Sequence, residues 1–169
     1  MRLTKNAIAM LALGLASTAF ATDADFLREA NDRAQIQELM WKYVRALDTL
    51  NEDAYAAVFT EDGQFSSGDN VEKGRDALRK VVTDIKKRRA ESEAKGQPKS
   101  PPMYHVITNA HIEFVDKDHA RYYAYWMTVF GAAGQATPAK VAAAGRSIDE
   151  LVRTNGKWLI KSRNVAPRD

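Results

Sequence analysis

The stretch Met103-Tyr104-His105-Val106-Ile107-Thr108-Asn109-Ala110-His111-Ile112-Glu113-Phe114-Val115 marks a change of period in the chain. Its β-branched and aromatic residues predict an extended strand, closed by the turn residues Asp116-Lys117-Asp118. Ala120 to Phe130, Gly145 to Arg153 and Lys157 to Val165 read as strands for the same reason, the last two joined by the hairpin pair Asn155-Gly156. Alternation along the first strand puts His105, Asn109, His111 and Glu113 on one face. Tyr104, Val106, Thr108, Ala110, Ile112 and Phe114 take the other.

Before Pro102 the period is helical. Ile36, Leu39, Met40, Tyr43, Val44, Leu47 and Leu50 recur in steps of three and four, and Asp32 with Gln35 suggests a capping box at their start. A short helix is expected over Glu52 to Phe59, then a turn at Glu61-Asp62-Gly63 and a short strand at Gln64 to Ser67. Gly74 to Ala94 is helical again, with Ala77, Leu78, Val81, Val82 and Ile85 inward. Its Lys86-Lys87-Arg88-Arg89 run reads as a solvated helix end, where cations suit the dipole. Lys95 to Pro102 is a loop, and Gly131 to Ala144, rich in Ala and Gly, is a longer connection. Helices followed by an antiparallel sheet define an α+β architecture, and a strongly curved sheet wrapped on the helices would enclose a pocket.

The 169 residues fit one domain with a sizeable core, and 45% hydrophobic with 28% charged residues is a globular composition. Residues 1–21 carry Arg2 and Lys5, an apolar run Ala7 to Ala16, and Ala19-Phe20-Ala21, the pattern of a cleaved secretory signal. The apolar run is too short to span a bilayer. The expected mature domain, 22–169, is therefore periplasmic or secreted, with no membrane association after signal removal. Without Arg2 and Lys5 the 25 Lys and Arg fall to 23 against 22 Asp and Glu, a charge of +1, which gives no ground for a nucleic-acid partner. The absence of Cys excludes disulfides, thiolate metal sites and a Cys nucleophile.

No glycine-rich phosphate loop and no G-x-S-x-G elbow occurs. His105, His111 and Glu113 lie too far apart along one strand, roughly 20 Å or more, to share an ion by themselves, so no metal is expected. His119 follows a turn and reads as solvated. Asp48 ends the apolar helical stripe, at the unfavourable end of the dipole. It is either a simple turn residue or a carboxylate that orients a histidine on the sheet.

Tyr43-Val44-Arg45-Ala46-Leu47-Asp48 and Ala57-Val58-Phe59-Thr60-Glu61-Asp62-Gly63 resemble the opening of SnoaL-like proteins of the nuclear transport factor 2-like (NTF2-like) superfamily. His105-Val106-Ile107-Thr108-Asn109 is similar to its first long strand, and Asp149 to Trp158 followed by Arg163 to its closing hairpin. The resemblance implies a cone of three N-terminal helices on a strongly curved antiparallel sheet, commonly dimerised through that sheet. Within the superfamily the chain is similar to scytalone dehydratase and hexachlorocyclohexane dehydrochlorinase. That similarity implies a catalytic dyad in which His105 removes a proton and Asp48 holds it. Tyr43 falls near a leaving-group lysine of the dehydrochlorinase, and Arg153 near its active-site arginine.

Two functions follow. The first is an exported, cofactor-independent lyase or isomerase acting on a small, largely apolar molecule, with Asp48 and His105 catalytic and Tyr43, Trp126 and Arg153 binding substrate. The second is a non-catalytic binding module using the same pocket. Strand alternation allows either Tyr123 and Tyr125 or Trp126 to face the ligand, but not both sets. The partner expected by resemblance is a second copy of the chain.

Overall fold

Helix α1 (Asp23–Asp48) starts at Thr22, whose hydroxyl oxygen accepts the Asp25 amide at 3.2 Å while the Asp25 carboxylate accepts from Thr22. The computed structural model describes residues 22–131 and 138–168. The expected signal over 1–21, and the middle of the Gly131 to Ala144 connection, lie outside the described residues. The capping box is thus Thr22 with Asp25, well ahead of the expected Asp32. Asp32 lies instead inside the helix, fully buried, where Trp158 Nε1 (3.2 Å) and Arg153 donate to its carboxylate. The expected apolar stripe is the buried face, from Ile36 to Leu47.

Asn51 caps the short helix α2 (Glu52–Ala57) by accepting the Ala54 amide at 3.0 Å. It stops early because Phe59 opens strand β1 (Phe59–Ser67), which runs through the Glu61-Asp62-Gly63 segment expected to turn. A Cβ on Gly63 would lie 2.9 Å from that of Phe59, so glycine is what lets the strand buckle there. β1 folds back on β2 (Asn70–Lys73), and Gly74 leads into helix α3 (Arg75–Ala94). Strands β3 (Met103–Phe114), β4 (His119–Phe130), β5 (Lys140–Thr154) and β6 (Lys157–Asn164) complete the chain. Asn155 and Gly156 both have positive φ, 51° and 75°, as the expected hairpin requires. β5 begins five residues before the expected Gly145, at Lys140, which pairs with Phe130.

The six strands lie in the order β2-β1-β6-β5-β4-β3. The sheet is mixed, not wholly antiparallel, because β1 runs parallel to β6. A parallel pair needs a long crossover, and here α3 and the strands β3 to β5 supply it. One face of the sheet packs on the helices; its core includes Tyr122, Ala124, Leu151 and Ile160 against Ile36, Tyr43, Tyr55 and Leu78.

β3 does not alternate throughout. Thr108 pairs with Tyr125, but His111 pairs with Tyr123, so one extra residue is accommodated at a bulge where Asn109 has φ 51°. The bulge reverses the facing of everything beyond it. His105 and Ile107 point inward with Thr128 and Trp126, and Ile112 and Phe114 point inward opposite Tyr122 and Ala120. His111 and Glu113 are thereby turned outward, opposite Tyr123 and Arg121. The two histidines expected on one face therefore occupy opposite faces.

Asn109 tolerates this left-handed backbone because its short polar side chain costs little there. Asn109→Gly is expected to keep stability within a few tenths of a kcal/mol, and Asn109→Val to lose roughly 1–3 kcal/mol, by urea unfolding. A valine variant as stable as the parent would show that the bulge does not depend on that conformation.

Candidate functional site

The last residue of α1 reaches the sheet. Asp48 Oδ1 lies 2.8 Å from His105 Nδ1 and also accepts the His105 backbone amide at 2.9 Å. Their side chains are 9% and 18% exposed, so the contact is largely shielded from water. A carboxylate only accepts hydrogen bonds, so Nδ1 carries the hydrogen in this contact and Nε2 remains the basic nitrogen. The second bond, to the amide of the same residue, fixes where the ring starts as well as how it is turned. Asp48 is thus no simple turn residue.

His105 opens onto a cavity of about 310 Å³ between the helices and the inner face of the sheet. Tyr43 and Leu47 of α1, Tyr55 of α2, and Val81 and Ile85 of α3 form one side. Phe65, Ile107, Trp126, Thr128 and Ala143 form the facing side. Of the aromatic residues on β4, Trp126 faces inward, whereas Tyr125 is exposed and Tyr123 lies on the outer face beside His111. The Trp126 indole N–H donates to Arg146 O (3.1 Å) and Val165 O (3.0 Å), which holds the ring as a wall. Gly145 sits directly across from it, and a Cβ there would lie 2.8 Å from Trp126 Cζ2.

The cavity also has a cation in its lining, Arg163, which is 1% exposed and paired with the fully buried Asp149 directly opposite on β5. Its guanidinium lies 4.3 Å from the centre of the Tyr43 ring. Tyr43, Tyr55 and Phe59 pack around each other with centroids 5.3–6.2 Å apart. Burial pushes the Tyr43 phenol up and the Tyr55 phenol well up, so both serve as neutral hydroxyls. Burial likewise pushes Asp149 up to about 7, against the opposing pull of Arg163. The Arg163 charge is disfavoured by burial and favoured by Asp149, and its pKa is raised. Tyr55 Oη, Ser147 Oγ, Asp149 Oδ1 and Arg163 Nε are buried without hydrogen-bond partners among the described residues.

Of the five site residues expected from sequence, four meet here: Asp48, His105, Tyr43 and Trp126. Arg153 does not. It faces inward at the far end of the hairpin, 4.8 Å over the Trp158 ring, with its guanidinium on Asp32, the Lys117 carbonyl and Asp118. Simple strand alternation does not assign Arg163 to the cavity, for a physical reason. Trp158 and Ile160 are buried at even positions, but the β5–β6 register slips between Leu151 and Glu150, after which the odd-numbered Arg163 is buried. His119 is exposed and paired with Asp116 at the preceding turn, as expected of a solvated residue. No group of three His, Asp or Glu side chains among the described residues is placed to hold a metal.

The family model described as the SnoaL-like domain matches residues 28–164. Similar solved structures include an NTF2-like protein with a cystatin-like fold from Novosphingobium aromaticivorans, with 22% identity, TM-score 0.69, and coverage of 91% of this chain and 93% of that one. A protein of the same organism provisionally named a scytalone dehydratase is 22% identical, with TM-score 0.65 and coverage of 82% and 85%. A hexachlorocyclohexane dehydrochlorinase from Novosphingobium barchaimii is 20% identical, with TM-score 0.64 and coverage of 82% and 88%. These structures show a shared α+β NTF2-like fold. No curated protein matches the sequence.

Because Gly145 and Trp126 are in such close contact, Gly145→Ala is expected to push the indole out of place. Intrinsic fluorescence should report greater solvent exposure of a tryptophan, and unfolding a loss of roughly 1–3 kcal/mol. An unchanged spectrum and stability would mean that the wall does not need glycine.

Proposed function

The chain belongs to the SnoaL-like domain family, and we propose that it is an exported small-molecule enzyme that abstracts a proton with an Asp48–His105 dyad. The observation that carries this reading is the 2.8 Å contact of Asp48 with His105 Nδ1, which leaves the other ring nitrogen of a cavity-lining residue as the base. His105 Nε2 takes the proton from a substrate carbon whose C–H is acidified by a neighbouring carbonyl or leaving group. The C–H electron pair forms a double bond as the leaving group departs, or moves onto the carbonyl oxygen. Asp48 stabilises the resulting imidazolium, and Arg163, with Tyr43 and Tyr55, stabilises the negative charge that develops on the substrate. The proton returns to solvent, to the leaving group, or to another carbon of the same molecule. The reaction class is a lyase or isomerase reaction with no cofactor, on a small molecule with a largely apolar body.

A non-catalytic binder is the second reading, favoured by the many apolar side chains of the cavity wall. Two further proposals accompany the first. The pattern over residues 1–21 supports export to the periplasm or beyond. Exposed Tyr104, Val106, Tyr125 and Val141, carried by neighbouring strands β3, β4 and β5, support self-association as a homodimer through the outer face.

The test is solvent hydrogen exchange or elimination by a panel of carbonyl-activated and halogenated cyclic compounds in D2O, followed by NMR. His105→Ala should lower the rate of any substrate found by about 10²–10⁴-fold with the fold intact. Asp48→Asn keeps an oxygen for the His105 amide but loses the charge, and should also slow turnover. Full activity in His105→Ala would remove the dyad. Ligand binding that survives His105→Ala, with no turnover by the parent protein, would establish the binding module.

A further inference from the structure

Beside the cavity, and sharing Ile85 with it, is a second hollow lined by Arg88, Arg89 and Ser92 of α3, Phe130 of β4 and Lys140 of β5. The strand register sets its distance from the dyad. Met103, Phe130 and Lys140 form one row across the sheet, and His105, Thr128 and Ala143 form the row two residues further along β3. Two residues of extended chain separate the rows by about 7 Å.

The charges of this hollow are one-sided. In the basic run of α3, Lys86 is held by Glu52 at 2.8 Å and Lys87 by Glu91 at 3.8 Å, but Arg88 and Arg89 have no carboxylate within ion-pair distance among the described residues. Neither has Lys140. Asp84, a turn below, is bonded to Lys80 at 2.6 Å, and its charge also acts on Lys87 and Arg88 without direct contact. The sequence offers no others from the sheet side, since there is no Asp or Glu from Lys95 to Ile112 or from His119 to Ile148. Glu93, at the end of α3, is the remaining acid close by in sequence. The Arg89 guanidinium lies 6.0 Å from the centre of the Phe130 ring, and its Nη2 is buried with no acceptor among the described residues. A buried charged donor without an acceptor is costly, and three like charges around one hollow repel one another. An anion set among them relieves both.

We infer that the ligand of this protein is an amphipathic anion, whose apolar body fills the cavity while its single carboxylate or similar group sits among Arg88, Arg89 and Lys140. This rests on the small-molecule pocket reading and narrows it. The anionic group anchors the molecule at one end, and the reacting carbon lies near His105, about 7 Å away. Binding energy collected at the anion then orients the C–H bond without engaging the reacting atoms. The two planar arginine forks favour a carboxylate geometry over a spherical anion.

The test is calorimetric titration of the mature chain, at low ionic strength, with 2-naphthoate and with its neutral isostere 2-naphthamide. The naphthoate should bind at least about tenfold more tightly, and the gap should narrow as salt screens the charges. In the Arg88→Gln/Arg89→Gln/Lys140→Gln triple variant, the two ligands should bind within about twofold of each other while naphthamide affinity is unchanged, which also shows the variant to be folded. His105→Ala should keep the preference for the anion. Equal binding of the two compounds by the parent, or a preference that survives the triple variant, would overturn the anion site and leave the pocket intact. Failure of both compounds to bind would overturn the pocket reading and this inference together.

Discussion

The buried pair of Arg163 and Asp149 is the interaction on which the interior of this protein turns. Removing two charges from water costs several kcal/mol per ion, and direct contact between them restores much of that. The pair lies at one register position of β5 and β6, so it fixes those strands relative to each other. The Tyr43 ring, on α1, lies over the guanidinium and connects the pair to the helical layer. Tyr55 and Phe59 in turn pack on Tyr43, so the first two helices and β1 all gather about one buried cation. The same cation reaches the cavity. A polar floor under apolar walls is thus a by-product of how the layers are joined.

Helix α1 carries a buried acid, Asp32, and a half-buried one, Asp48, with different fates. Asp32 meets Arg153, a permanent cation, and the Trp158 indole, so it serves as a fixed clamp. Asp48 meets the His105 ring instead, at 2.8 Å, where the helix ends beside the cavity. Sixteen residues of helix separate the two by about 24 Å. One rigid element therefore clamps the far end of the sheet and holds the His105 ring at the cavity, whereas Arg153, at the other end of that helix, lies away from it.

Much of this was legible in the chain because periodicity reports burial directly. The stripe from Ile36 to Leu47, the Asn155-Gly156 hairpin and the strands after Pro102 follow from side-chain spacing alone. Asp48 and His105 could be paired only through family resemblance, since no local rule links residues 57 positions apart. Two of the hidden features share one cause: a shift of register changes which side chains face inward without changing composition. The bulge at Asn109 moved His111 outward, and the slip between β5 and β6 brought Arg163 inward where Arg153 had been expected. The parallel pairing of β1 with β6 was equally invisible, because nothing in a strand's residues records which distant strand lies beside it. Asp32 looked like a cap because a buried acid and a capping acid share the same letter, and only its partners distinguish them.

β3 is the last strand of the sheet, and a last strand exposes backbone donors and acceptors that a foreign chain can join. Here α1 closes that margin at two points: Arg33 donates to the Ile112 carbonyl at 3.1 Å, and Asp48 accepts the His105 amide. Between them the bulge at Asn109 interrupts the regular ladder that an added strand would need. The carboxylate that orients the histidine therefore also guards the protein against edge-to-edge aggregation. The turn of the ring and the protection of the edge rest on the same oxygen atom.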